Sequence, residues 1–287
     1  MNSVSGKYWE ELKSIKRLTD KVKIDYDLND IQAKLVISRS FTEDEIYSFT
    51  NKASYKNPFL KNKDYLSGCD LLKKHIIKKD NILIIGDYDV DGCTSTSLMY
   101  NFLKKKNSNI NFYIPDRFKD GYGASKKLVI RLIDLYNPKL IIFLDCGTNS
   151  FEAIKYINKK KISSLIIDHH NVKKTYPSSN VFINPKKNNS YENYNYLCSV
   201  ILTFFFIDLY IKLNKLKISL ETEKIFVLLG IVADVMPIRK LNRLFALDVL
   251  ENFEINKNFI IKYLYKNLNL NKRLDLQDLA YIIAPIF

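Results

Sequence analysis

Short apolar runs alternate with stretches of helical period through the middle of the chain. Residues 82–85, Ile-Leu-Ile-Ile, are apolar at every position, the pattern of a strand buried on both faces. Similar runs at 110–114, 140–144, 164–167 and 181–183 predict four further strands. Helices are predicted between them over 93–105, 125–136 and 151–160. Alternation of this kind predicts an α/β fold, an open and mostly parallel sheet flanked by helices.

The flanking sequence reads differently. Residues 1–30 are polar and mixed, with Trp9, Leu12, Ile15 and Leu18 spaced to form one helical face. Residues 31–80 read as helical, with Thr42 as an N-cap and Glu45 as its return partner three residues on. Asn57-Pro58 breaks that pattern, and 70–79 is a further short helix. After Pro185 comes a Lys/Asn-rich loop, 186–195, then helices over 199–215 and 222–233. The remainder is again helical. The expected organisation is a helical lead-in over 1–80, the α/β domain over 81–240, and a helical segment over 241–287.

Composition narrows the function classes. The 287 residues are 47% hydrophobic, enough for a sizeable core. No apolar stretch reaches the length of a membrane span, 201–211 being too short, and no secretory leader pattern is visible. Cys69, Cys93, Cys146 and Cys198 are scattered without a close pair, which argues against a structural zinc site. It is the usage of reduced core cysteines in a cytoplasmic protein. The net charge of +14 suits a polyanionic partner, nucleic acid above all. Lys and Asn are abundant throughout, so charge supports that partner without establishing it.

The chemistry-bearing residues gather where the predicted strands end. Asp87, Asp89 and Asp91 follow the first strand, Asp116 and Arg117 the second, Asp145 the third, and Asp168-His169-His170 the fourth. Open parallel sheets bind ligands beyond the carboxyl ends of their strands. Two carboxylates about 4 Å apart repel by roughly 4 kcal/mol at an effective dielectric near 20, so such a cluster needs a cation, shared protons or open water. Singly, each residue has a plainer reading: Asp91 as cap of the next helix, Asp145 as a turn residue before Gly147, Asp168 as a turn cap. Asp234, at the end of an apolar helix, needs a partner. Together, carboxylates and imidazoles suit Mn²⁺ or Mg²⁺, and there are ligands enough for two ions that could grip a phosphate and activate water.

Four stretches in order, Asp87-Tyr88-Asp89-Val90-Asp91-Gly92, Asp145-Cys146-Gly147, Asp168-His169-His170 and Gly230-Ile231-Val232-Ala233-Asp234, resemble the motifs of the DHH phosphoesterase superfamily. Three others are similar to its RecJ-like single-strand-specific exonuclease branch: 113–118 with Gly121-Tyr122-Gly123, 181–186, and Asn242-Arg243. The resemblance runs from about residue 35 to the end.

It implies a metal-dependent phosphodiesterase with two Mn²⁺ or Mg²⁺ ions, digesting single-stranded DNA from the 5′ end in recombination and repair. Carried over residue by residue, Asp89, Asp91, Asp145, His169 and Asp234 would be metal ligands, with Asp145 between the ions. Asp87 would be a further ligand or orienter, Asp168 would orient the histidines, and His170 would contact the scissile phosphate. Arg117 would sit on the 5′ terminal phosphate, with Tyr122 and Gly123 beside the substrate. Single-stranded DNA is the implied partner, with a single-strand-binding protein or a helicase as protein partners. RecJ-like chains continue past the matching Ala284-Pro285 into a DHH-associated domain and an OB-fold, so the resemblance also implies that a C-terminal half is absent from this sequence. Two other functions stay open: a DHH phosphodiesterase on short oligonucleotides or cyclic dinucleotides, and a non-catalytic binding module.

Overall fold

The computed structural model describes residues 4–8, 10, 15–49, 51, 54–106, 109–121, 123–187, 193–270 and 272–287. It divides into two compact units, residues 1–55 with 238–248, and residues 56–237 with 249–287.

The first unit holds helices α1 (Lys16–Tyr26), α2 (Asp30–Ser38) and α3 (Glu43–Tyr47). Val22, Leu28, Ala33, Val36 and Ile46 form its small core. The expected apolar face of the first helix is buried only toward its far end, where Val22, four residues past Leu18, continues the same stripe. Ile15 and Leu18 are 70% and 43% exposed, while Thr19 and Val22 point inward. Trp9 and Leu12 lie outside the described residues. The Thr42–Glu45 capping box forms as expected. Its carboxylate reaches much further than the cap. Glu45, fully buried, accepts from Thr42 N at 2.8 Å, from Arg239 Nε at 2.6 Å and from Lys240 N at 2.7 Å. The Arg239 guanidinium also lies over the Phe41 ring, 4.3 Å from its centroid.

The second unit is built on five parallel strands in the order β2-β1-β3-β4-β5: Ile82–Ile85 (β1), Ile110–Tyr113 (β2), Leu140–Leu144 (β3), Ser163–Ile167 (β4) and Val181–Ile183 (β5). The strands of the expected pattern are all present, shifted by at most one residue at an end. Helix α4 (Lys63–Ile77) precedes β1 and belongs to this unit, starting well before the expected 70–79. Asn57 does more than interrupt a helix: its buried amide donates to Phe205 O at 2.8 Å and to the Asp208 carboxylate at 2.7 Å.

Between the strands run α5 (Val90–Lys104), α6 (Lys126–Tyr136) and α7 (Phe151–Lys159). After β5 come α8 (Ser199–Leu213), α9 (Lys224–Ala233), α10 (Lys240–Asn252) and α11 (Phe259–Asn267). Side chains alternate across the pleat. Leu83, Ile85, Ile141, Phe143 and Ile166 meet the apolar faces of α6 and α7. The opposite face is covered by α5 and α8. Helix α8 is apolar all round and buries twelve of its residues, as a helix enclosed on every side must. Gly92 fixes how closely α5 approaches the end of β1: a Cβ there would lie 2.6 Å from the Asp87 carbonyl oxygen.

Burial alone would raise the Glu45 pKa, but the hydrogen bonds from Arg239, Thr42 and Lys240 outweigh it and hold the carboxyl at about 2. A depressed carboxylate pKa contributes stability above the ordinary value of 4.5 that is lost as pH falls through about 2. Glu45→Gln should cost on the order of 3 kcal/mol at neutral pH by leaving Arg239 without its carboxylate. In urea denaturation, the gap between wild type and variant should be full above about pH 5 and close as pH approaches 2.

Candidate metal centre

The carboxyl ends of β1, β3 and β4 bring together the residues that the sequence singles out. Asp87 follows β1 fully buried, one carboxylate oxygen accepting from Tyr88 N at 2.7 Å. Asp89 is exposed and is the N-cap of α5, accepting from Gly92 N at 2.9 Å. Asp91 therefore does not cap the helix it belongs to. It is buried, and its two oxygens accept from Ser199 N at 2.7 Å and Val200 N at 2.8 Å. It thus caps α8 across the fold, where Cys198 at the N-cap position makes no side-chain cap. Gly230 leaves room for this junction, since a Cβ there would fall 2.7 Å from Val200 Cγ1 and 2.9 Å from Thr94 Oγ1.

Asp145 extends the ladder past β3, donating its N–H to Ile167 O at 3.0 Å. Its backbone then turns to φ +60°, a left-handed conformation that costs a non-glycine residue about 1–2 kcal/mol. That turn goes with a buried carboxylate whose Oδ1 accepts from Ser199 Oγ at 2.9 Å.

Asp168 is the best-satisfied acid. One oxygen accepts from His169 N at 2.7 Å and from His170 Nδ1 at 2.8 Å, the other from Thr148 N at 2.9 Å. Asn184, just past β5, donates to Thr148 Oγ1 and to His170 O, each at 3.0 Å. Burial opposes ionisation of Asp168, but the bonds from His170 and Thr148 overcome it and hold the carboxyl well below its usual range. In return the hydrogen bond to Asp168 raises the His170 pKa against burial.

His169 faces three carboxylates at once. Its Nε2 lies 3.4 Å from Asp145 Oδ1, 3.4 Å from Asp234 Oδ2 and 3.8 Å from Asp91 Oδ2. Burial lowers its pKa, partly opposed by the charge of Asp91. Burial also pushes Asp91 up to about 6, opposed in part by His169. Burial and then the Asp89 charge raise Asp234 to about 6. Asp145 is raised well above the carboxylate range, by burial first and by Asp91 next. Oxygens of Asp87, Asp145 and Asp234, and Nδ1 of His169, are buried without a hydrogen-bond partner among the described residues.

Two overlapping ligand sets result. Asp145, His169 and His170 each offer an atom within 4.8 Å of the others, and so do Asp91, His169 and Asp234. Asp87 and Asp89 stand outside both sets. Buried, unpartnered oxygens beside neutral imidazole nitrogen are the donor set that a divalent cation such as Mn²⁺ or Mg²⁺ completes. The residues fit such an ion.

The remaining candidates lie beside this cluster. Arg117 is exposed, its guanidinium 5.6 Å from the centroid of the Tyr88 ring. Asp116 is a turn residue accepting from Phe118 N and Lys119 N at 2.9 and 3.0 Å. The Arg117 loop is tied down by Asp120, which accepts from Tyr113 Oη at 2.7 Å and from Arg131 at 2.9 Å. Tyr122 lies outside the described residues. Gly123, at φ +71°, opens onto a cavity of about 470 Å³ lined also by Ser125, Thr148, Ser150, Asp168 and His170. The sequence reading gave no role to Ser199, Thr148 and Asn184. A serine at the start of an apolar helix is the one local signal that could have drawn attention to any of them.

Known proteins resemble this chain in sequence and in fold. The relatives include the single-stranded-DNA-specific exonuclease RecJ of Bacillus subtilis strain 168, 30% identical over 257 residues, which are 88% of this chain and 31% of the relative. The RecJ of Haemophilus influenzae is 31% identical over 62% of this chain and 32% of its own. The chain spans about a third of the length of these curated relatives. Among solved structures, RecJ in complex with Mn²⁺ from Thermus thermophilus superposes with a TM-score of 0.77 at 18% identity, over 95% of this chain and 38% of that one. Exonuclease RecJ bound to manganese gives 0.69 at 21%, over 78% and 56%. Both show a shared fold. The profile of the DHH family, N-terminal domain, matches residues 81–231, more than half of the sequence, and the chain belongs to that family.

Proposed function

We propose that this protein hydrolyses phosphodiester bonds of single-stranded DNA from the 5′ end, using two divalent cations, Mn²⁺ or Mg²⁺. The observation that carries the reading is the cluster of Asp91, Asp145 and Asp234 around His169, with unpartnered carboxylate oxygens buried in it. Asp91, His169 and Asp234 would hold one ion, and Asp145, which faces the same His169 Nε2, would offer its carboxylate to the second beside His170. Asp89, at the exposed mouth, completes the ligands, and Asp87 adds a carboxylate behind them. When bound, the ions neutralise the carboxylates, polarise the phosphate and lower the pKa of a water.

The protein's own groups do the rest. Asp168 fixes both histidines through their backbone and ring N–H groups, the usual support for such residues. His170 keeps its ring proton through that bond and is the donor to a phosphate oxygen in the cavity it lines. Arg117 offers a guanidinium fork to a terminal phosphate, a geometry that suits two phosphate oxygens at once. Tyr122 and Gly123 flank the same path. The catalytic domain is assigned to 81–240. The named RecJ relatives act on single-stranded DNA, and the substrate and polarity proposed here come from them. Work in recombination and repair in the cytoplasm, beside a single-strand-binding protein or helicase, fits four free cysteines and the lack, among the described residues, of any helix long and apolar enough to cross a membrane.

A cavity of about 470 Å³ beside His170 also favours a second reading, hydrolysis of short oligonucleotides, since that volume suits a single small unit. Initial rates on a dinucleotide and on a long strand separate the two. The strand should be the faster substrate.

With 5′-labelled single-stranded DNA and Mn²⁺, wild type should release nucleotides and Asp145→Ala should be slower by at least about a thousandfold, the scale of losing a principal electrostatic group. Equal rates would remove Asp145 from the centre.

Mn²⁺ should also stabilise the fold in a pH-dependent way. Raised carboxylate pKa values mean that the ion-free fold holds protons on Asp91 and Asp234 up to about pH 6. Its stability therefore falls as pH rises from the ordinary 3.8 through about 6. The cation must displace those protons, so stabilisation by Mn²⁺ grows across the same interval. At a hundredfold excess over Kd it approaches about 2.7 kcal/mol. Thermal melts at about pH 5 and about pH 7.5, with and without Mn²⁺, should show the larger shift at the higher pH, and Asp234→Asn should flatten the difference.

A further inference from the structure

The end of the sheet opposite the candidate centre carries charge of the other sign. Every strand from β1 to β4 is entered through lysine. Lys78 and Lys79 precede β1, residues 104–106 close α5 ahead of β2, Lys139 precedes β3, and residues 159–161 close α7 ahead of β4. The parallel register sets these entries side by side, with Ile82 opposite both Ile110 and Leu140, and Leu140 opposite Ser163. Hydrogen bonds fix the same edge: the Asn109 side-chain Nδ2 donates to Lys79 O at 3.1 Å, and Ser163 N to Lys139 O at 3.0 Å.

All nine of these lysines are exposed, and none forms an ion pair among the described residues. Of the acids beside these lysines, Asp80 is taken by His75 at 2.7 Å, and Asp134 lies in the last turn of α6. Lysine at a helix C-terminus complements the helix dipole. One per helix serves that purpose, whereas α5 and α7 each end in three. The ammonium of Lys104 sits 5.4 Å from the Tyr100 ring centroid and that of Lys160 5.6 Å from Tyr156, so two of the stems lie along aromatic faces while the charges stay in water.

We propose that this amino edge of the sheet is a second nucleic-acid surface, one that holds the phosphate backbone of a strand away from the hydrolytic centre. From β2 to β4 is three strand-to-strand steps, about 14 Å at roughly 4.8 Å each. That length takes a run of phosphates, not one anion. The edge presents helix C-termini, so it lacks the converging backbone N–H groups of a single-phosphate pocket. Flexible lysine stems bearing point charges follow a backbone without reading its sequence. The inference rests on nucleic acid being the substrate of the centre, but its binding needs no divalent ion and no catalysis.

The test is binding of a long fluorescent single-stranded DNA in EDTA, read by anisotropy over a salt series. Neutralising four edge charges together, Lys105→Gln, Lys106→Gln, Lys159→Gln and Lys160→Gln, should weaken binding at least tenfold at low salt. It should flatten the slope of log K against log salt by about 2 to 3, at about 0.7 per single-strand phosphate contact. Turnover of a dinucleotide in Mn²⁺ should stay unchanged. A control that removes four exposed lysines elsewhere, Lys16→Gln, Lys21→Gln, Lys262→Gln and Lys266→Gln, should bind as wild type does. Unchanged affinity in the edge variant overturns the inference, and so does an equal loss in the control. Competition by polyglutamate as strong as by DNA at equal charge would assign the edge to an acidic protein instead. Loss of binding in the edge variant, alongside equal turnover by wild type and Asp145→Ala, would sink the proposed function and leave this surface standing.

Discussion

Three carboxylates, two of them buried and the third half-buried, face one imidazole, and the architecture of the second unit is arranged to hold them there. Asp91, Asp145 and Asp234 come from α5, the end of β3 and the end of α9, and all lie within 4 Å of His169 Nε2. Charges of like sign at such separations repel by kilocalories per mole even at an effective dielectric near 20. The backbone supplies part of the compensation. The first N–H groups of α8 point at Asp91, and the N-terminus of a helix carries about half a positive charge. Burial first, and the neighbouring acids after it, still leave Asp91 and Asp145 with raised pKa values, and some oxygens have no partner among the described residues.

The four buried acids of this edge show that residue type alone does not set protonation. Asp168 and Asp145 are equally buried, each about 1% exposed. Asp168 collects donors on both oxygens and stays ionised, while Asp145 has one hydroxyl and acidic neighbours and is driven toward its protonated form. Hydrogen bonds to the charged form are what separate them. The separation assigns work: Asp168 holds the histidines in place, and the proton-laden set is the one that a cation would discharge. Asn184 and Thr148 extend the rigid side of this division, since they fix Asp168 and His170 without facing the cluster.

Most of the strands were legible because strands buried on both faces read as short, nearly continuous apolar runs, as at 82–85 and 140–144. The centre was legible for a related reason: parallel strands deliver all their exits to one edge, so acids following several strands must meet. Partnerships across long sequence distance were not legible. Asp91 reads locally as a helix cap, and only the placement of α8 gives it Ser199 and Val200, more than a hundred residues on. Glu45 reads as half of a capping box, and nothing local announces Arg239. In α1 the apolar stripe of Ile15 and Leu18 continues to Val22, yet only Val22 enters the small core, since Ile15 is the N-cap at the helix's open end. Periodicity reports which residues share a face; how much of that face is covered depends on the neighbour.

The same topology explains why a chain of net charge +14 can keep an anionic pocket. A parallel sheet sorts its connections, with helix starts and strand exits at one end and helix ends and strand entries at the other. Acids at the exits and lysines at the entries are thus kept a strand length apart. Strands of four or five residues span about 13–17 Å at roughly 3.3 Å per residue. That exceeds a Debye length of about 8–10 Å at ordinary ionic strength. The lysines of the amino edge therefore cannot serve as counter-ions to Asp91, Asp145 and Asp234, however many they are. Net charge is a sum over the surface, and the sum is silent about a cluster that lies beyond the screening distance of most of its terms. Within the chain His170 and Lys186 act on Asp234, yet its pKa stays raised to about 6, and that remaining demand for positive charge ties the sign of the cluster to the kind of ligand it can hold.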